Sequence, residues 1–313
     1  MVNFLKGIFN IFKVLTITLG SIFVILIVIV ICALMGLVFG GKMGESPRDI
    51  IKSNRMVAVV QVADEIGRNT KAEEFQKQLN AQLKDTNIKG VVVRIDSPGG
   101  SVGESEEIYL TIKEAAKAKG RDKPIVCSLG NIAASGALYI AAACDRVVTL
   151  KGTITGSIGV VMMSPNFSNI MRKYDVEMNV IKSGEFKDAG SPFRAMTEDD
   201  RSVLTTLVTQ AFDQFVSAIS ESRKIPREDV LRIADGRIIL GEEAVALGLA
   251  DSIGNVNAAG QVVLEMLKLD GEADLVYQRK SKFSTLFENF ADSKVGSWLW
   301  GKTPAMELRY QMY

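Results

Sequence analysis

The stretch Ile88-Lys89-Gly90-Val91-Val92-Val93-Arg94-Ile95-Asp96-Ser97-Pro98-Gly99-Gly100-Ser101 runs from a nearly continuous apolar strand directly into a Pro-Gly-Gly loop. A strand that is apolar on both faces belongs in a sheet covered on both sides, the usual setting of parallel strands. Working outward, residues 56–62 (Met-Val-Ala-Val-Val-Gln-Val) read as a second strand of the same kind. Between the two, residues 70–85 carry a polar, helix-period pattern. After the loop, residues 102–119 read as a helix, 124–129 as a strand and 135–143 as a short alanine-rich helix. Such alternation predicts α/β layers of parallel strands joined by right-handed helical crossovers. Residues 147–150 and 159–161 are expected to add short strands. A long helix is predicted over 197–223, opened by a Thr197 and Asp200 pair that resembles a capping box. Two short helices are expected at 228–234 and 241–247, the second stopped by Gly248. We find no internal repeat and no low-complexity tract.

The chain has 313 residues, 47% of them hydrophobic, which is ample for a large core. Lys and Arg total 37 against 36 Asp and Glu, and this balance excludes nucleic acid as a main partner. From Val14 to Gly41 no residue is charged. A bilayer core needs about 20 apolar residues, more than a secretory leader supplies, so residues 1–41 read as a retained membrane anchor. Residues 42–55 read as a polar linker, 56–276 as the main domain and 277–313 as a basic, aromatic tail. The tail suits contact with a bilayer surface, docking on a neighbouring subunit, or disorder. Lys42, Arg48, Lys52 and Arg55 follow the span closely, against Lys6 and Lys13 before it, and this bias points to a cytoplasmic main domain. Of three cysteines, Cys32 lies in the span. Cys127 and Cys144 read most simply as small core residues, a single disulfide being the alternative. There is no metal-ligand pattern, and no cofactor is expected.

The chain contains no histidine. Any nucleophilic chemistry must therefore use another base. Ser135, in Asn131-Ile132-Ala133-Ala134-Ser135-Gly136-Ala137, stands where a strand gives way to a helix. Taken alone it reads as an N-cap, and Asp96 to Ser101 as an ordinary Pro-Gly turn. Two features favour a site: the small residues around Ser135 leave its hydroxyl room, and the amide of Gly136 would face the same point as those of Gly99 and Gly100. Together these could hold a developing oxyanion. A lysine can act as base only when neutral, which requires its pKa to fall from about 10.4 to about 7–8 through burial. Lys182 and Lys187, in Ile181-Lys182-Ser183-Gly184-Glu185-Phe186-Lys187-Asp188, are both candidates, and physical reasoning on the residues does not choose between them.

Asp96-Ser97-Pro98-Gly99-Gly100, Ala133-Ala134-Ser135-Gly136, Thr155-Gly156-Ser157-Ile158-Gly159-Val160, and Lys182-Ser183-Gly184 through Lys187-Asp188 to Ser191-Pro192-Phe193-Arg194 occur in this order. So arranged, the chain resembles the short, single-repeat form of the signal peptide peptidase A family. The likeness extends from about Val57 to Asn255, taking in Asp235-Gly236-Arg237 and Ala246-Leu247-Gly248-Leu249-Ala250-Asp251. It implies a Clp protease/crotonase-like α/β fold and a Ser/Lys dyad. Ser135 would be the nucleophile, Lys187 the general base and Ser157 the residue that orients its amine. Gly100 and Gly136 would supply the oxyanion-hole amides. The carboxylate of Asp188 would keep Lys187 protonated, so its side chain is expected to point away. The resemblance also implies an extracytoplasmic domain on a single-pass cytoplasmic-membrane anchor, which overrides the charge bias. It implies remnant signal peptides as substrates and a homo-oligomer, an octamer being one form, with dyads completed between neighbouring subunits. Alternatives are a related membrane serine peptidase acting on stomatin-like partners, a non-catalytic scaffold of the same fold, and an acyl-CoA enzyme of crotonase type.

Overall fold

A computed structural model describes Gly20, residues 23–25 and 27, residues 54–117 and 122–277, and the backbone of 309–311. The chain divides into two units, Met1–Lys52 and Ser53–Tyr313. In the first, the described residues are helical and exposed. The rest of the expected anchor and linker, and most of the tail, lie outside the described residues. Among those described, no helix is long and apolar enough to cross a membrane.

The second unit is built on an eight-stranded sheet. In chain order its strands are β1 (Met56–Ala63), β2 (Ile88–Ser97), β4 (Ile125–Ala133), β5 (Arg146–Thr149), β6 (Ile154–Gly156), β7 (Ile238–Leu240), β8 (Ser252–Ile253) and β9 (Asp274–Tyr277). The main path runs β7-β6-β4-β2-β1-β9, and β5 bridges β4 to β8. Every pairing is parallel except β6 with β7. A short strand β3 (Gly99–Ser101) leaves the sheet after β2 and pairs antiparallel with β10 (Arg309–Gln311). The predicted strand at 159–161 does not form. The chain leaves the sheet after Gly156, and the pairing with β4 and β7 is made by Ile154–Gly156 instead.

Side chains alternate across the sheet as a period of two requires. Val91, Val93 and Ile95 of β2 join Val60 and Val62 in a large cluster on one face. Val92 joins Val57, Val59, Val126 and Val148 on the other, beneath helix α8 (Val256–Met266). Helices α1 (Ala72–Lys84), α2 (Val102–Lys117), α3 (Gly136–Ala141) and α5 (Glu198–Arg223) supply the larger layer. The remaining helices, α4 (Ser168–Lys173), α6 (Arg227–Ile233) and α7 (Gly241–Ala246), are short. The capping box at α5 forms as its sequence predicts: Thr197 Oγ1 accepts from the Asp200 amide at 3.1 Å, and Asp200 Oδ2 accepts from the Thr197 amide at 3.0 Å. All six residues of α3 are buried. Tyr139 from α3 packs between Tyr109 of α2 and Phe215 of α5, with ring centroids 4.8 and 5.2 Å away.

Cys127 and Cys144 correct the simplest sequence reading. Both are buried core residues, and they are also joined as a disulfide with a Cα–Cα separation of 5.8 Å. Cys127 points from β4 into the helical layer, and Cys144 ends the turn that follows α3. Packing brings together two residues whose spacing carries no disulfide signature. The closed loop contains Ser135. Reduction is expected to lower stability by about 3 kcal/mol, the loop-closure value for a loop of this size. Matched denaturation with and without reductant measures this, and equal midpoints would show that the bridge contributes nothing.

Candidate active site

Three loops meet at the carboxyl ends of the parallel strands, the usual ligand position in open α/β sheets. The Ala134 amide donates to the Ser97 carbonyl at 3.2 Å, which ties the loop after β4 to the loop after β2. The Ser135 amide donates to the Gly156 carbonyl at 2.9 Å, and Thr155 Oγ1 donates to the Ala133 carbonyl at 2.6 Å, which ties both to β6. The segments around Ser135, Gly136, Gly100 and Ser157 are thus drawn together by backbone bonds.

Ser135 is not an N-cap. Its side chain makes no capping hydrogen bond, and its backbone takes φ 55°, ψ −118°, a conformation uncommon for a residue with a Cβ. The hydroxyl is fully buried, and it is the one buried side-chain polar atom without a hydrogen-bond partner among the described residues. A buried hydroxyl left unpaired costs about 1–3 kcal/mol. Gly136 opens α3, and its amide, the first of the helix, has no acceptor within it.

Nor is Gly99-Gly100 a plain turn. The Ile66 amide donates to the Gly99 carbonyl at 2.9 Å and the Ser101 amide to the Ile66 carbonyl at 3.0 Å, so β3 lies against Ile66. Alternation along a strand then turns the amide of Gly100 to the opposite edge, where the backbone of Tyr310 lies. Gly99 has φ 103°, and a Cβ on Gly100 would stand 2.1 Å from the Ile66 carbonyl oxygen. Both glycines are required by geometry.

Ser157 also has a left-handed backbone, φ 50°, and its amide donates to the Arg237 carbonyl at 2.7 Å. It lines a cavity of about 710 Å³ whose walls include Ile158, Val160, Phe212 and Ile238. At the cavity's edge Arg237 holds the Asp235 carboxyl down at about 2, so that carboxylate is charged throughout the neutral range.

Lys187 is the predicted residue that the structure does not bring to this group. It sits exposed on a 3-10 turn, Glu185–Asp188, within a long and largely exposed stretch between β6 and α5. Its amine makes no hydrogen bond to the Ser135 hydroxyl. Lys182, the other candidate, is engaged: its Nζ donates to Asp188 Oδ1 at 2.6 Å and to the Glu185 carbonyl at 2.7 Å. Asp188 turns its carboxylate to Lys182 and Arg194. Sequence reasoning passed over Arg194, which bonds both Asp188 and Asp200. Its place in the quoted motif was the available signal, but nothing in the spacing showed which carboxylates it would meet.

The Gly100 contact yields a contrast between two neighbours. Gly100→Ala would drive its methyl into the Ile66 carbonyl and is expected to cost about 1–3 kcal/mol in stability and, by displacing the loop after β2, to lower turnover as well. Gly103→Ala, on α2 with nothing within 4 Å of the added methyl, should leave turnover unchanged and stabilise the helix slightly. Parallel assays of the two variants check this.

The chain is similar to known proteases. The family model described as peptidase family S49 matches residues 117–270, and that for Clp protease matches residues 42–153. A protein named as a protease, from Synechocystis sp., is 37% identical over 218 residues, covering 70% of this chain and 76% of the relative. One named as signal peptide peptidase SppA, from Enterococcus faecium, is 35% identical over 226 residues, covering 72% of this chain and 64% of the relative. Among solved structures, a membrane-bound stomatin-specific protease in complex with a substrate peptide aligns with 77% of this chain and all of its own, at 14% identity and a TM-score of 0.47. The chain belongs to peptidase family S49, and it is a serine peptidase built on Clp protease-like parallel strands.

Proposed function

We propose that the protein is a membrane-anchored endopeptidase that cleaves remnant signal peptides with Ser135 as nucleophile and Lys187 as general base. The observation that carries this reading is the fully buried, unpartnered hydroxyl of Ser135, held in a strained backbone beside the amide of Gly136. Unpaired buried polar atoms and strained residues are retained where function uses them.

The chemistry is acyl transfer. A neutral Lys187 amine takes the Ser135 proton, and the alkoxide attacks a peptide carbonyl. The amides of Gly100 and Gly136 hold the tetrahedral oxyanion, which collapses to an ester on Ser135 as the Lys187 ammonium gives its proton to the leaving nitrogen, releasing the amine product. Water then hydrolyses the ester by the reverse proton route. Ser157, beside the same loop, orients the lysine amine. The apolar cavity next to Ser157 favours aliphatic or aromatic substrate side chains, the composition of signal-peptide cores. The pairing of Tyr310 with Gly100 supports a substrate backbone that binds as an added strand on β3.

In this reading Lys187 reaches Ser135 of a neighbouring copy. The stretch that carries Lys187 is apolar as well as exposed, with Phe167, Ile170, Tyr174, Val180, Ile181 and Phe186 open to solvent. A patch of this kind calls for a protein partner, and a second copy of the chain meets the need at both ends: it covers the patch and completes the dyad. The uncharged run over 14–41 supplies the anchor. The Cys127–Cys144 disulfide favours the extracytoplasmic side, since such bonds persist in oxidising compartments.

Fluorophosphonate labelling tests the nucleophile: wild type is expected to label and Ser135→Ala not, while labelling that survives in Ser135→Ala would assign the chemistry elsewhere. Mixed assembly tests the shared dyad. Ser135→Ala and Lys187→Ala chains, each inactive alone, are expected to regain a fraction of wild-type peptidase activity when co-assembled, and no recovery would place both partners in one chain.

A further inference from the structure

We propose that Arg194 is a positioning residue for the reaction, which occupies the carboxylate of Asp188 and bolts the turn bearing Lys187 to the first turn of α5. The inference rests on the Ser/Lys reading and adds a residue that the reading does not contain.

Asp188 follows Lys187 directly, on the same 3-10 turn. A free carboxylate there is the worst neighbour for an amine that must lose its proton, because an opposite charge within about 4–6 Å favours the ammonium form by one to three pH units. In the structure both oxygens of Asp188 are taken. Oδ1 accepts from Arg194 Nη2 at 2.9 Å and from Lys182 Nζ at 2.6 Å, and Oδ2 accepts from Arg194 Nε at 2.9 Å. Arg194 Nη2 also donates to the Asp188 backbone carbonyl at 3.2 Å, which fixes the turn itself.

The other side of the guanidinium reaches α5. Nη2 donates to Asp200 Oδ1 at 3.0 Å, and Nη1 donates to Asp200 Oδ2 and, at 3.0 Å, to the Ala195 carbonyl. Asp200 is itself nearly buried and belongs to the capping box, so the chain of contacts ends on a rigid helix terminus. A planar fork suits this double duty, and a lysine in its place could not bond two carboxylates in fixed directions.

The charged groups around Asp188 are Lys182 from the preceding segment, Arg194 from the following loop and, through Arg194, Asp200 from α5. Hydrogen bonds from Arg194 first, then from Lys182, hold the Asp188 carboxyl well below the usual carboxylate range. Arg194 first, then the Thr197 amide, does the same for Asp200. Because both folded values are depressed, the stability they contribute is fully present above the ordinary carboxylate pKa and is lost only as pH falls through the depressed values. The clamp therefore does not titrate in the neutral range, and an acid limb of activity near neutrality belongs to another group.

The test is the pH dependence of fluorophosphonate labelling of Ser135 in the full-length protein. Arg194→Gln leaves Asp188 held by Lys182 alone and frees Oδ2 to turn to Lys187, and the acid limb is expected to move up by about one pH unit, a loss of about tenfold at fixed pH below the limb. Arg194→Lys, which keeps the charge but not the fork, should move it in the same direction by less. Asp188→Asn placed in the Arg194→Gln background should return the limb toward its wild-type position. A limb that stays in place in both single variants, or a double variant with no recovery, overturns the positioning role and leaves Arg194 a structural residue. Lys187→Ala separates this from failure of the underlying reading: labelling at the wild-type rate in that variant removes the base, and the proposal falls with it.

Discussion

The close approach of backbones at the carboxyl ends of β2, β4 and β6 is the constraint on which the rest depends. Main chain meets main chain there without intervening side chains: Gly99 and Ser101 bond Ile66, Ala134 bonds Ser97, and Ser135 bonds Gly156. The space at Gly100 leaves no room for a Cβ beside the Ile66 carbonyl. Three loops from distant parts of the chain are thereby held together, and Ser135, Gly136 and Gly100 lie on them. Such rigidity suits the oxyanion stabilisation proposed above, since donors that must first reorganise lose much of their value.

Rigidity there has to be supported from below. A residue held at φ 55° and ψ −118° costs about 1–3 kcal/mol and persists only if its surroundings over-determine it. The fully buried α3, the Tyr109–Tyr139–Phe215 stack and the disulfide that closes the loop around Ser135 all act on the same few residues. The hydrophobic layer therefore does more than cover the sheet. It holds Ser135 in a conformation that local preferences oppose.

Lys187, the proposed base, is placed in the opposite way. Ser135 is inside the core of one chain, whereas Lys187 is presented on an exposed, apolar stretch whose local order comes from ion pairs. That division makes sense if the amine is desolvated only when another surface closes over it. Charges near it must then be committed in advance, and the Asp188–Arg194–Asp200 chain of contacts is such a commitment.

Much of this was legible in the residues. Apolar runs at 56–62 and 88–95 specified buried parallel strands because a sheet covered on both faces leaves no polar alternation, and Thr197 with Asp200 specified the start of α5 because capping is local chemistry. The strand expected at 159–161 failed because strand pairing depends on distant partners, and β7 offered its edge to Ile154–Gly156. The pairing of Cys127 with Cys144, the N-cap reading of Ser135 and the choice between Lys182 and Lys187 were undecided in sequence for the same reason. Periodicity and capping are set by neighbours within a few residues, so the sequence by itself determined the main strands and helices from residue 56 to about 150, the helices from 197 to 247, and the motifs that mark the family. Which loops are tied to the one bearing Ser135, which carboxylates Arg194 engages and whether a hydroxyl is left unpaired depend on contacts between residues far apart in the chain. Those only the packed tertiary structure could decide.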